Sequence, residues 1–183
     1  NNTATGYAGT AHFTSTDGSA TLPANSTLTN GTGTFSATLK TAGTQTITST
    51  DTVTSSITGT SGNIAVNPGA ATHFALSAPA SAAAGTAVSL GVTALDAFNN
   101  TVTGYTGTAH FTSTDASAAL PTDFSFTGAD NGTHNFANAV TFQNAGTQTV
   151  TGTDTVTSSV TGTSGNVTVS ETIGEHEIDH IIG

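Results

Sequence analysis

Gly107-Thr108-Ala109-His110-Phe111-Thr112-Ser113-Thr114-Asp115 is the stretch on which the fold turns. Ala109 and Phe111 fall on one side and His110 and Thr112 on the other, the period-2 pattern of a strand with one face in a core. The same nine residues recur as Gly9 to Asp17. The identity spreads in both directions. Asn1 to Tyr7 matches Asn99 to Tyr105, Leu22-Pro23 matches Leu120-Pro121, and Ala42 to Val66 matches Ala145 to Val169. The chain therefore repeats at a period of about one hundred residues, and near-identity over such lengths implies one shared fold. The second copy is about five residues longer, around Asp130-Asn131-Gly132. Residues 67 to 98 have no counterpart in the first copy. That copy is expected to lack its opening third, read as two strands, so the chain reads as an excerpt of a longer array.

Other segments alternate in the same way. Thr86 to Ala94, Thr147 to Thr151, Val156 to Val160 and Asn166 to Val169 read as strands, with turn residues between them. No stretch before Glu171 has helical periodicity. About seven short antiparallel strands per copy imply an all-β protein, tandem immunoglobulin-like sandwiches with the first copy lacking its opening strands. The expected divisions are a partial repeat over 1–66, a complete repeat over 67–170 and a tail over 171–183, the tail read as a helical segment. The expected core is Phe74, Leu76, Val88, Leu90, Val92, Phe111, Leu120, Phe136, Val140, Phe142, Val150, Val160 and Val167. An incomplete first copy should expose a strand edge and part of its core, and be destabilised or completed by a neighbouring chain.

Composition excludes several partners. The chain has one basic residue, Lys40, against eleven acids, and a formal net charge of −10. Nucleic-acid binding needs clustered cations to meet phosphates, and a polybasic membrane contact needs the same. No apolar run is long enough to insert in a membrane. Without Cys, disulfides cannot staple the fold. A Lys–Asn isopeptide staple shared by both copies is also excluded, because Gln143 stands where the first copy has Lys40. Thr makes up about a quarter of the chain, and its β-branch fits a pleated surface.

A family resemblance rests on a series of motifs. These are His73-Phe74, Ala84-Gly85, Val92 to Asn100, Gly104 to Asp115, Leu120-Pro121, Phe126-Thr127 with Asp130-Asn131-Gly132, and Ala145 to Thr149. Residues 1 to 170 resemble the bacterial immunoglobulin-like repeats of large secreted and cell-surface proteins. Asn99 departs from the pattern, since many such repeats carry Gly there. The resemblance implies an extracellular module used as a spacer or adhesive stalk, on a fold that hosts many functions.

Candidate sites are few. In such a sandwich, three loops at one pole would carry Asp96 with Asn99 and Asn100, Asp130 with Asn131, and Asp154. Their oxygens could hold calcium, although Asp and Asn also fill turns for backbone reasons. The first copy favours the turn reading, having Asp51 but Asn30-Gly31 in place of the Asp130 loop. His12, His73, His110 and His134 are read as exposed surface residues. Tyr7 and Tyr105 are repeat-mates in one structural position, read as packing.

After Ser170 the character changes. Glu171 to Gly183 holds four of the eleven acids, two His, four Ile and only one Thr. Within it, His176-Glu177-Ile178-Asp179-His180-Ile181-Ile182-Gly183 reads H-E-x-x-H-x-x-G. On a helix, His176 and His180 at i and i+4 could ligate one zinc, with Glu177 as general base on the bound water. The stretch resembles the start of a metzincin-type zinc protease motif. That motif's third His would fall at position 186, beyond this sequence, and Asp179 departs from the Gly many relatives have. The alternatives are a frayed terminus or an extra strand added to an open sheet edge.

Three functional readings follow. In the first, the chain is a non-catalytic module of a secreted or cell-surface bacterial protein, its partners neighbouring repeats or copies of itself, with no cofactor required. In the second, it is the N-terminal arm of a secreted zinc metalloprotease. In the third, it is a strand-exchanging filament subunit.

Overall fold

The computed structural model describes residues 2–172. It is an all-β sandwich protein whose chain divides into two compact units, Asn1–Pro68 and a second beginning at Gly69. Unit 1 contains β1 (Thr10–Ser15), β2 (Ser26–Thr27), β3 (Gly43–Gln45), β4 (Ile47–Asp51), β5 (Thr58–Thr60) and β6 (Ile64–Val66). Four of these form an antiparallel sheet in the order β2-β1-β4-β5, and β3 pairs with β6.

Unit 2 contains β7 (His73–Ser77), β8 (Ser81–Ala83), β9 (Ala87–Leu95), β10 (Thr108–Ser113), β11 (Phe124–Ser125), β12 (Thr133–Thr141), β13 (Gly146–Gln148), β14 (Val150–Asp154), β15 (Thr161–Thr163) and β16 (Val167–Ser170). A 3₁₀ turn, Gly128–Asp130, precedes β12. The sheet β11-β10-β14-β15 repeats the four-stranded sheet of unit 1, and the β13–β16 pair repeats β3–β6. Two further features complete unit 2. The sheet β12-β9-β7 is antiparallel, whereas β8 joins β16 in a parallel pairing, the one departure from an antiparallel plan among the described strands.

Alternation carries the core. On β9, Leu90, Val92 and Ala94 are buried, and on β10 so are Ala109 and Phe111. Every expected core residue joins one cluster, nine of them buried and Leu76, Val88, Leu120 and Phe136 packed at its margin. Phe126 and Val169 belong to it as well. The solvent faces explain the wealth of Thr. Thr48 meets Thr60 and Thr50 meets Thr58 across β4–β5, with hydroxyls 2.8 and 2.9 Å apart. Thr151–Thr163 and Thr153–Thr161 repeat these pairs across β14–β15. Such ladders hold sheet faces through neutral cross-strand hydrogen bonds.

Several expectations need correction. The opening third of a copy holds three strands, β7, β8 and β9, because the segment between His73 and Leu95 turns twice. Val156 to Val160 is a turn, not a strand, and Val156 is 91% exposed. Asp154 folds it back by accepting the Val156 and Thr157 N–H groups. Thr147 to Thr151 is broken at Thr149, whose carbonyl accepts Ser113 Oγ and the Thr114 N–H. There the chain leaves one sheet and enters another.

The extra length of the second copy has two sources. The turn Gly128–Asp130 supplies three residues. The rest is a bulge on β12, where Phe136 faces Leu90 but Val140 faces Val88, so the strand gains two residues on its partner. Equivalent contacts fix this alignment: Phe35 packs on Phe13 at 5.0 Å as Phe136 packs on Phe111 at 5.1 Å.

Candidate functional site

Buried carboxylates are the polar groups both units share. Asp115 follows β10 and reaches the connection between β12 and β13. It accepts the Gln143 N–H at 2.7 Å, the Asn144 N–H at 3.0 Å and Asn144 Nδ2 at 2.6 Å, and also closes its own turn through the Ser117 N–H. Asp17 does the same in unit 1, with Lys40, Thr41 and Ser19 as donors. Hydrogen bonds to the charged form favour it. The donors led by the Asn144 N–H hold Asp115 at about 2, against the opposing effect of burial. The Thr41 N–H and hydroxyl lead a similar set that lowers Asp17.

A second carboxylate ends β4 in unit 1 and β14 in unit 2. Tyr105 donates its hydroxyl to Asp154, and Tyr7 donates to Asp51. Burial pushes the Tyr105 phenol up, and the Asp154 hydrogen bond and charge push it further. Burial alone would raise Asp154, but the donors Thr157, Tyr105 and Val156 outweigh it and the carboxyl is lowered. Gly107 is required beside this pair, because a Cβ there would overlap both the Asp154 carboxylate and the Tyr105 hydroxyl. The tyrosines are thus hydrogen-bonded anchors as well as packing groups: Tyr105 also lies edge-on to Phe74 and to Phe126.

The residues singled out for calcium are placed as follows. Asp96 is buried after β9, and its oxygens accept the Phe98, Asn100 and Gly69 N–H groups and both contacts of Asn100 Nδ2. Burial raises its pKa, yet these donors lower it to about 2. Asn99 adopts a left-handed φ of 63°, and its Oδ1 accepts from His73 Nε2 at 3.1 Å. Asp130 accepts the Thr127 N–H and hydroxyl and lies 3.3 Å from His134 Nδ1. Asp154 is bound to its own turn and to Tyr105. Asp96 and Asn100 are brought together; Asp130 and Asp154 are each engaged by other donors. Among the described residues no three His, Cys, Asp or Glu side chains group to hold a metal. His176, Glu177 and His180, the residues singled out for zinc chemistry, lie outside the described residues.

The histidines divide. His12 and His110 are exposed, bonded to Asn25 at 2.8 Å and Asp123 at 2.7 Å. His134 was expected outside but is half-buried, stacked on Phe124 at 3.9 Å and edge-on to Phe136 at 4.6 Å. Its place two residues before Phe136 puts it on that residue's side of β12. His73 is also half-buried. Sequence reasoning missed Asp17 and Asp115; the signal available was an identical Thr-Asp closing the repeated block in both copies.

Unit 1 also has an open groove of about 300 Å³, lined by Tyr7, Ala11, Leu28, Ser49, Ile57 and Gly59. Leu28 donates its N–H to Gly9 as Phe126 does to Gly107, so the two residues are equivalent. Ile57 is 48% exposed, whereas its equivalent Val160 is 3% exposed.

The class defined by these features is an all-β protein with two repeat-related units whose buried polar groups close loops. No protein-family model and no curated protein matches the chain. Among solved structures, it is similar to the apo structure of Bacteroides uniformis beta-glucuronidase 3, at 12% identity and a TM-score of 0.43. That match covers 88% of this chain and 21% of the other, so the chain spans about a fifth of that protein's length.

Proposed function

We propose that the chain is a non-catalytic structural module, an immunoglobulin-like repeat of a secreted or cell-surface protein, that sets a distance as a stalk or spacer. The observation that carries the reading is the use made of the buried polar groups. Asp17, Asp51, Asp115 and Asp154 are each committed to loop closure, in the same manner in both units. Among the described residues, no buried side-chain nitrogen or oxygen lacks a hydrogen-bond partner. Active sites hold polar groups in reserve for a substrate, whereas fully satisfied networks rigidify. Neutral Thr ladders on the sheet faces suit the same role, since they persist at any salt concentration.

Replacement in the protein that carries the module tests the proposal. Deleting residues 69–172 should shorten its reach, and an unrelated β-sandwich of equal length should restore it. A defect that only this sequence repairs would contradict the spacer role.

A further inference from the structure

The parallel pair β8–β16 joins the two ends of unit 2. At the first end, Asp96 accepts the Gly69 N–H, which fixes Gly69 beside the C-terminal end of β9. From there β7 runs antiparallel to β9, so the chain travels toward the start of β9. At the other end, the Ala84 N–H donates to the Ser170 carbonyl at 2.8 Å, and Thr172 Oγ donates to the Ala84 carbonyl at 2.6 Å. Ala84 lies just before β9 begins. Gly69 and Thr172 are therefore at opposite ends of β9, a nine-residue strand that spans about 30 Å at roughly 3.3 Å per residue.

Tension applied between these ends runs along the strands. It draws β7 and β8 toward the Gly69 end and β16 the other way. Because β8 and β16 are parallel, their contacts lie side by side across that pull and are loaded together. The register sets Ser81 against Thr168, Ala82 against Val169 and Ala83 against Ser170. The Thr168 N–H on the Ala80 carbonyl at 2.9 Å extends it at one end, and the Ala84 and Thr172 bonds extend it at the other. β16 is gripped on its second edge as well, where it pairs with β13. Its Val167 and Val169 are buried, so sliding β16 would withdraw both from the core. A hairpin in this place would bring both strands out at one end and let its bonds open one after another.

We infer that the β8–β16 pair is a mechanical clamp that keeps unit 2 folded when it is pulled from its two ends. The inference deepens the spacer reading, since a spacer under load must keep its length. The two are tested separately, because a weak clamp would leave an unloaded spacer intact.

A turn at the end of the clamp supplies a variant. The Thr86 N–H donates to the Ala83 carbonyl, and Gly85 has a φ of 78°, the form of a type II turn, whose second position suits proline. Ala84 holds that position. Ala84→Pro therefore removes the N–H that bonds Ser170 and keeps the turn.

The chain has no Cys, so paired Cys substitutions give defined handles for single-molecule pulling on the full chain. Handles at Ala70→Cys and Glu171→Cys load the clamp along its length. Handles at Thr86→Cys and Glu171→Cys pull the same pair apart from one end, so its bonds break in sequence. All three positions are exposed, and unit 1 lies outside both pairs. The unfolding force is expected to be several-fold higher in the first direction, since forced unfolding reports the barrier crossed and not the overall stability. Ala84→Pro should lower that force while leaving the circular dichroism unchanged. Equal forces in the two directions, a comparison that needs no change in the clamp, would overturn the inference. So would an unchanged force in a folded Ala84→Pro chain.

Discussion

Asp115 accepts three backbone N–H groups and one side-chain amide, over a separation of up to 29 residues. Asp115→Ala leaves those donors without a partner inside unit 2, and unsatisfied buried donors cost more than the bond they lost. The expected outcome is a melting temperature for unit 2 lower by at least about 4 °C, measured by calorimetry. The same carboxylates set the acid response. Asp96 and Asp115 are held at about 2 in the folded chain, below the roughly 3.9 of an unfolded Asp. Between those values the unfolded chain binds more protons, so stability falls as pH falls. Their contribution is complete above about pH 4 and is lost on acidification through about pH 2, which acid titration followed by circular dichroism would register. Calcium has little to bind in this arrangement, since N–H groups already occupy the Asp96 oxygens. Millimolar calcium and chelator should give the same melting curve; a clear upward shift with calcium would contradict this. The sequence displayed each of these Asp residues but not their partners. A carboxylate that bonds a loop 28 residues away leaves no local pattern.

Elements were legible where periodicity was strong and less so where turns intervene. The strands β9, β10 and β16 follow from alternation, because one face of each is buried. Val156 to Val160 alternates too, yet Asp154 captures two of its N–H groups and makes a turn. Alternation over five residues cannot register that competition. The bulge on β12 was legible only as extra length between matching blocks. Its strained residue is Asn138, at a φ of 50°, a conformation that Asn and Gly tolerate and β-branched residues do not. Asn138→Gly should leave stability nearly unchanged, whereas Asn138→Val should cost on the order of 1–2 kcal/mol. Chemical denaturation of both variants checks this. Equal stability would show that the bulge relaxes without the left-handed residue.

At the scale of the whole molecule, the repeat gave the architecture, and the difference between copies gave the rest. Identity between Gly9–Asp17 and Gly107–Asp115, with the match of Ala42 to Val66 and Ala145 to Val169, produces the same sheet, the same Thr ladders and the same carboxylate anchors in each unit. What the identity could not convey is that one strand creates another. Residues 33–37 do not form a strand in unit 1, although their counterparts in unit 2 do, because β12 is held by β9 and the described residues of unit 1 include no equivalent of β9. The central claim is therefore that each unit builds its own copy of the four-stranded sheet, but among the described residues only unit 2 builds the β12-β9-β7 sheet. Residue-resolved amide hydrogen exchange on the full chain tests this directly. Slow exchange is predicted for the paired amides of β9 and β12, and exchange near the unprotected rate for residues 33–37. Comparable protection of residues 33–37 and of β12 would contradict the account.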